Sequence, residues 1–146
     1  MPQWLQEINY FLMANYAIQV TPDGAGTWNR PSVTRGATAL VGGTAITLNT
    51  QAAASHNSLH EAIPVVVRAF KNSAAANGNP ASNFTALLRD NNDGSYTVTS
   101  AKYDVTSITS GAAVTRPSEL ITSGMSLQTA MRRGERVILN DKAAND

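Results

Sequence analysis

The sequence predicts a mainly β domain, sandwich-like or barrel-like, with two or three short α-helices, one of them amphipathic and N-terminal. Three observations point there. Short β-branched or alternating runs recur along the chain, among them YAIQV, VVVRAF and YTVT, as expected of short strands. Clusters of Gly, Pro, Asn and Asp separate these runs and supply the backbone conformations that turns need. Helical spacing of apolar residues is confined to brief stretches. A chain of 146 residues suits one domain over 1–146, with room for a real core.

Trp4, Leu5, Ile8, Phe11 and Leu12 fall on one helical face, which predicts a helix over about residues 3–14. Pro2 sits where a missing N–H needs no partner. That helix packs on its own domain or forms an arm, residues 1–15, that docks on a neighbour. Met13 opens MANYAIQV like a second start, which would make the preceding residues an optional extension.

YAIQV reads as a strand and TPDGAGTWNRP as a loop. The loop's GxG is no phosphate cradle, since neither a third glycine nor a helix start follows. GATALVGGTAITLNT predicts a glycine-hinged pair of strands, and QAAASHNSLHEAI a short helix ended by Pro64. VVVRAF then reads as the best strand, and KNSAAANGNPASN as an exposed loop. FTALL and SYTVTSAKYDV flank the run RDNNDG, and a further short strand lies in TSITSGAAVTRPSEL. Ser126 caps a helix LQTAMRR that Gly134 would end. ERVILN closes the fold as a strand, with 141–146 as a flexible tail.

RDNNDGSYTVT, residues 89–99, holds the one carboxylate cluster that resembles a metal loop. A calcium loop needs oxygens at positions one, three and five, glycine at six and an acid at twelve. Counting from Asp90, Asp93 falls at four, Gly94 at five and Ala101 at twelve. The register excludes the metal loop, and the same residues suit a turn between two strands. The run DNNDGSYTV resembles the hairpin of filamin-type and bacterial immunoglobulin-like β-sandwich repeats. That resemblance implies a β-rich domain, although SAKYDVTSITSG stands where those repeats carry an Ala-Gly-x-Tyr pattern.

His56 and His60 are spaced i, i+4 beside Glu61, a geometry able to ligate zinc on a helix. HNSLHE is neither HExxH nor HxxEH, and no G-x-S-x-G elbow presents a serine. We therefore assign no catalytic, cofactor-binding or metal-binding residue. Asn83 opens an N-x-T acceptor motif, NFT. Arg132, Arg133 and Arg136 form the basic cluster, available for salt bridges, for an acidic partner or for packaged nucleic acid. No interleaved aromatics offer base-stacking platforms there.

Charged residues make up only 14% of the chain, against roughly 25% in an average domain, and the net charge is +1. Ala, Ser, Thr, Asn and Gly replace them. Such a surface does little to keep molecules apart. There is no Cys, hence no disulfide, thiolate or thiolate metal site. The N-terminus lacks a signal-peptide pattern, and no run reaches the ~20 apolar residues of a membrane span. In overall character the chain resembles bacteriophage virion proteins: capsid decoration (cement) proteins, small coat proteins and tail-tube subunits.

That resemblance implies a non-enzymatic assembly protein, made in the host cytoplasm and located in the virion. Its partners would be other virion proteins or copies of itself, in a homo-oligomer or higher assembly. Trp4, Ile8, Phe11 and Leu12 of the N-terminal helix, Trp28 in an exposed loop, and Arg132, Arg133 and Arg136 are the candidate contacts. The alternative is a carbohydrate-binding or adhesin-like β-sandwich in which Trp28 stacks on a sugar.

Overall fold

The structure, a computed structural model, describes residues 15–36, 43–48, 54–78, 80–108, 111–114 and 123–145. The N-terminal helix, and with it Trp4, Ile8, Phe11 and Leu12, lies outside these residues. The described chain is mainly β, with seven strands in one antiparallel sheet and two α-helices.

The strands are β1 (Asn15–Val20), β2 (Ser32–Arg35), β3 (Thr44–Ala45), β4 (Ser55–His56), β5 (Asn83–Asp90), β6 (Tyr96–Asp104) and β7 (Ala112–Val114). Their order is β3-β6-β5-β1-β2-β7, and β4 also pairs with β6. The strands expected at YAIQV, FTALL and SYTVTSAKYDV are therefore β1, β5 and β6. The expected hinged pair contributes β3, and residues 37–42 and 49–53 lie outside the described chain.

RDNNDG is the turn that joins β5 to β6. Asp90 pairs with Tyr96, and the N–H of Asn91 donates to Ser95 O at 3.1 Å. Asn92 and Gly94 take φ of 66° and 91°, the left-handed conformations that Asn and Gly accept at least cost. The acids serve the turn itself. Asp90 accepts from the Asn92 N–H, and Asp93 from the hydroxyl and N–H of Ser95. Those bonds, the hydroxyl's first, hold the Asp93 carboxyl below the usual range. Further along, Leu87 faces Ser100 but Leu88 faces Val98, so Thr99 bulges out of β6.

The sheet is not closed, and helices rather than a second sheet form the layer packed on it. The helix α1 (Leu59–Asn72) lies against β6, and α2 (Leu127–Asn145) against β1, β2 and β7. Between the layers, alternate residues of β1 (Tyr16, Ile18, Val20), β5 (Phe84, Ala86, Leu88) and β6 (Tyr96, Val98) are buried, as the period of two requires. Phe84 is the aromatic hub: Phe70 stacks on it at 4.9 Å, Trp28 at 5.3 Å and Tyr103 at 6.3 Å. No helix among the described residues is long and apolar enough to cross a membrane.

Both helices correct the sequence reading. VVVRAF is not a strand but the middle of α1, whose buried residues Leu59, Ala62, Ile63, Val66, Val67 and Phe70 keep one helical face. Ser58 caps it by accepting from the Glu61 N–H at 3.2 Å. Pro64 sits inside the helix instead of ending it. A proline there removes the bond to the carbonyl four residues earlier, that of His60. Arg132 Nη1 donates to that carbonyl at 2.8 Å, so the orphaned acceptor is satisfied from α2.

Gly134 likewise does not stop α2, and ERVILN is helix. A Cβ on Gly134 would lie 2.7 Å from Ile18 Cγ2, so the glycine is there to let the helix approach β1. Residues 141–145, expected as a flexible tail, are the last turns of the same helix. Gly134→Ala should therefore destabilise the fold by about 1–3 kcal/mol, although alanine alone would favour a helix by roughly 1 kcal/mol. Denaturant unfolding of the two proteins checks this. Equal or greater stability of the alanine variant would contradict the close-approach role.

Candidate functional site

Two polar clamps fix α2 and leave one cleft beside it. The first clamp holds the helix end to the sheet. Tyr16 donates to Asp141 Oδ2 at 2.8 Å, and Arg35 Nη1 to Asp141 Oδ1 at 2.7 Å. Tyr16 and Arg35 are directly paired between β1 and β2, so neighbouring strands present both donors to one carboxylate. Lys142 donates to the buried Asp90 at the end of β5, and its ammonium lies 5.9 Å from the centre of the Tyr96 ring. The Tyr16 phenol is pushed far above its ordinary value, first by burial and then by its bond to Asp141.

The second clamp joins the helices. Arg132 donates to Glu135 Oε1 at 2.7 Å as well as to the His60 carbonyl. Glu135 is buried, and its Oε2 lies 3.0 Å from His60 Nδ1. An ion pair at i, i+3 on α2 thus repairs the proline defect in α1.

The cleft has a volume of 290 Å³ and lies beside β2, with Arg30, Pro31, Ser32 and Thr34 along one wall. Arg133 and Val137 of α2 and Ala113 and Val114 of β7 form others, and Ser107 and Ile108 complete it. Those last two belong to a strap after β6 that is pinned to the sheet. Gln19 and Asn83 both donate to the Thr106 carbonyl, at 3.2 and 3.1 Å. Gln19 also donates to Thr85 Oγ1 and accepts from the Ile108 N–H. These bonds account for three polar side chains buried in strands, Gln19, Asn83 and Thr85. The Thr34 hydroxyl, by contrast, is buried with no hydrogen-bond partner.

The three arginines expected as one cluster have three fates. Arg132 is committed to the helix clamp, Arg133 lines the cleft and Arg136 is exposed. Trp28 is corrected: it is only 5% exposed, packed on Phe84, and offers no platform for a sugar. Its loop folds around Asp23, which accepts from the Thr27 hydroxyl at 2.6 Å and the N–H groups of Ala25 and Gly124. The bond from Thr27, then that from Ala25, holds the Asp23 carboxyl below the usual range. The backbone of Trp28 then pairs with Met125 on both sides.

His56 and His60 do not share a helix: His56 is on β4 and His60 in the first turn of α1. No group of three or more His, Cys, Asp or Glu suited to a metal occurs among the described residues. Asn83 of the NFT motif is buried in β5. Sequence reasoning missed Arg30 and Thr34, because no periodicity links a loop arginine to one on a distant helix.

Two expectations follow from the clamps. Arg132→Met should cost roughly 2–3 kcal/mol in denaturant unfolding, since it strands a buried carboxylate and a carbonyl. Arg132→Lys should recover only part of that, because an ammonium does not reproduce the guanidinium fork. Tyr16 carries a pH signature. Above about pH 10 the phenol of the unfolded chain ionises while the folded one keeps its proton, so stability falls as pH rises. Tyr16→Phe should remove that part of the alkaline slope in urea melts; an unchanged slope would refute it.

No family model matches the chain, and no curated protein or solved structure matches it either.

Proposed function

We propose that this chain is a non-enzymatic structural subunit of a virus particle, of the decoration or coat type found on phage capsids. It would act by burying surface against neighbouring subunits in the virion, at about 25 cal/mol per Å² of apolar area. The placement of its charges carries this reading. Few to begin with, they are drawn into internal pairs: Arg35 with Asp141, Lys142 with Asp90, and Arg132 with Glu135. Much of the exterior is then left to small neutral side chains. Ala112 and Ala113 of the marginal strand β7 are exposed, without the charge or proline that commonly guards a sheet edge. Val105 on the strap is 74% exposed and Leu139 on α2 43% exposed. Surfaces of this kind favour association over solubility.

Light scattering coupled to size exclusion tests the reading. Mass should rise above the monomer as the protein is concentrated over about a hundredfold range, and Val105→Asp or Leu139→Asp should shift it back. Electron microscopy of the concentrated protein should show regular particles, tubes or sheets. A monodisperse monomer throughout that range would refute self-assembly.

A further inference from the structure

We infer that the cleft beside β2 binds an oxyanion of the phosphate class, a phosphoryl group held between Arg30 and Arg133. This goes beyond the assembly reading and does not depend on it. Over the whole chain 11 basic residues balance 10 acidic ones, yet the cleft is lined by two arginines and no carboxylate. Guanidinium groups stay charged at any ordinary pH, and a partly enclosed wall of one sign concentrates the field on what enters. Both arginines also interact elsewhere in the chain. Each has five N–H donors, so an oxyanion adds acceptors to a set that one partner does not exhaust.

The second sign is independent of charge. Thr34 lines the cleft, and its hydroxyl is buried without a hydrogen-bond partner. Buried hydroxyls are nearly always satisfied, and a ligand oxygen would satisfy this one. Ser32 and Ser107 add two more hydroxyls. Donors spread over several walls match a tetrahedral group with three or four acceptor oxygens; a planar carboxylate with two would leave part of the set unmet. The volume of 290 Å³ is near the lower end for ligand pockets, about 300 Å³. It holds a phosphoryl group with a small organic part, for which Pro31, Val33, Ile108 and Val137 provide apolar walls.

The full chain is titrated with inorganic phosphate, at ionic strength held constant with chloride, and followed by amide chemical shifts. Saturable shifts should appear at Ser32, Thr34 and Ser107 with phosphate and not with chloride. Arg30→Gln and Arg133→Gln should each weaken binding by about tenfold. Thr34→Val should weaken it without lowering the melting temperature, which keeps the test decisive if an arginine variant fails to fold. The titration is repeated with glycerol phosphate and with a short single-stranded oligonucleotide. Preference for the ester identifies a small phosphorylated molecule as the source. Preference for the oligonucleotide, lost in Arg133→Gln, identifies a nucleic-acid backbone. The inference is overturned by the absence of saturable shifts with all three, by binding retained in both arginine variants, or by preference for a glutamate-rich peptide over phosphate.

Discussion

The structure depends on how closely α2 lies on β1, and one missing methyl group sets that distance. With no side chain at Gly134, the helix comes down onto Ile18, which is fully buried and stiff at its branched Cβ. Everything else on the helix is positioned from there. Asp141 meets the Tyr16–Arg35 pair and Lys142 meets Asp90 two turns further on. In the opposite direction, Arg132 reaches the carbonyl that Pro64 leaves without its helical partner. A rise of the helix by a few tenths of an ångström at its middle would stretch bonds at both ends.

The three principal strands were legible in the sequence because their residues obey a local rule, alternation bounded by turn formers. The Asp90–Tyr96 turn was legible for the same reason: its acids bond within the turn, so six residues contain the whole explanation. The helices were obscured because their exceptions are answered from afar. Pro64 reads as a stop unless Arg132 is known to stand beside His60, and Gly134 reads as a cap unless Ile18 is known to lie beneath it. Three consecutive valines have strand propensity, yet the spacing from Leu59 to Phe70 and the Ser58 cap outweigh it. Trp28 was misread because a Gly- and Pro-rich loop was equated with exposure, whereas Asp23 folds that loop inward. The cleft was invisible for the plainest reason: its two arginines meet only through the tertiary fold.

Charge economy links the fold to the proposed role. A chain with so few ionic side chains uses several of them as internal fasteners at the helix–sheet and helix–helix seams. Once a buried carboxylate is matched by an arginine or lysine, removing either partner is costly, which makes the seams specific as well as firm. The exterior is left neutral and small-featured, and the arginine-lined cleft stands out against it.

The two margins of the sheet differ. Along β6 the margin is occupied piecemeal by β3 and β4, and the bulge at Thr99 disrupts the ladder between them. At the other side β7 is a plain three-residue strip. Backbone pairing between copies therefore has one usable margin per molecule. Two copies joined there would cap one another, so chain-to-chain sheet growth ends at a pair instead of running on into a fibre. Any larger shell would have to be built from contacts between faces, with the bulge acting as the stop that keeps a weakly charged β protein from polymerising along its own sheet.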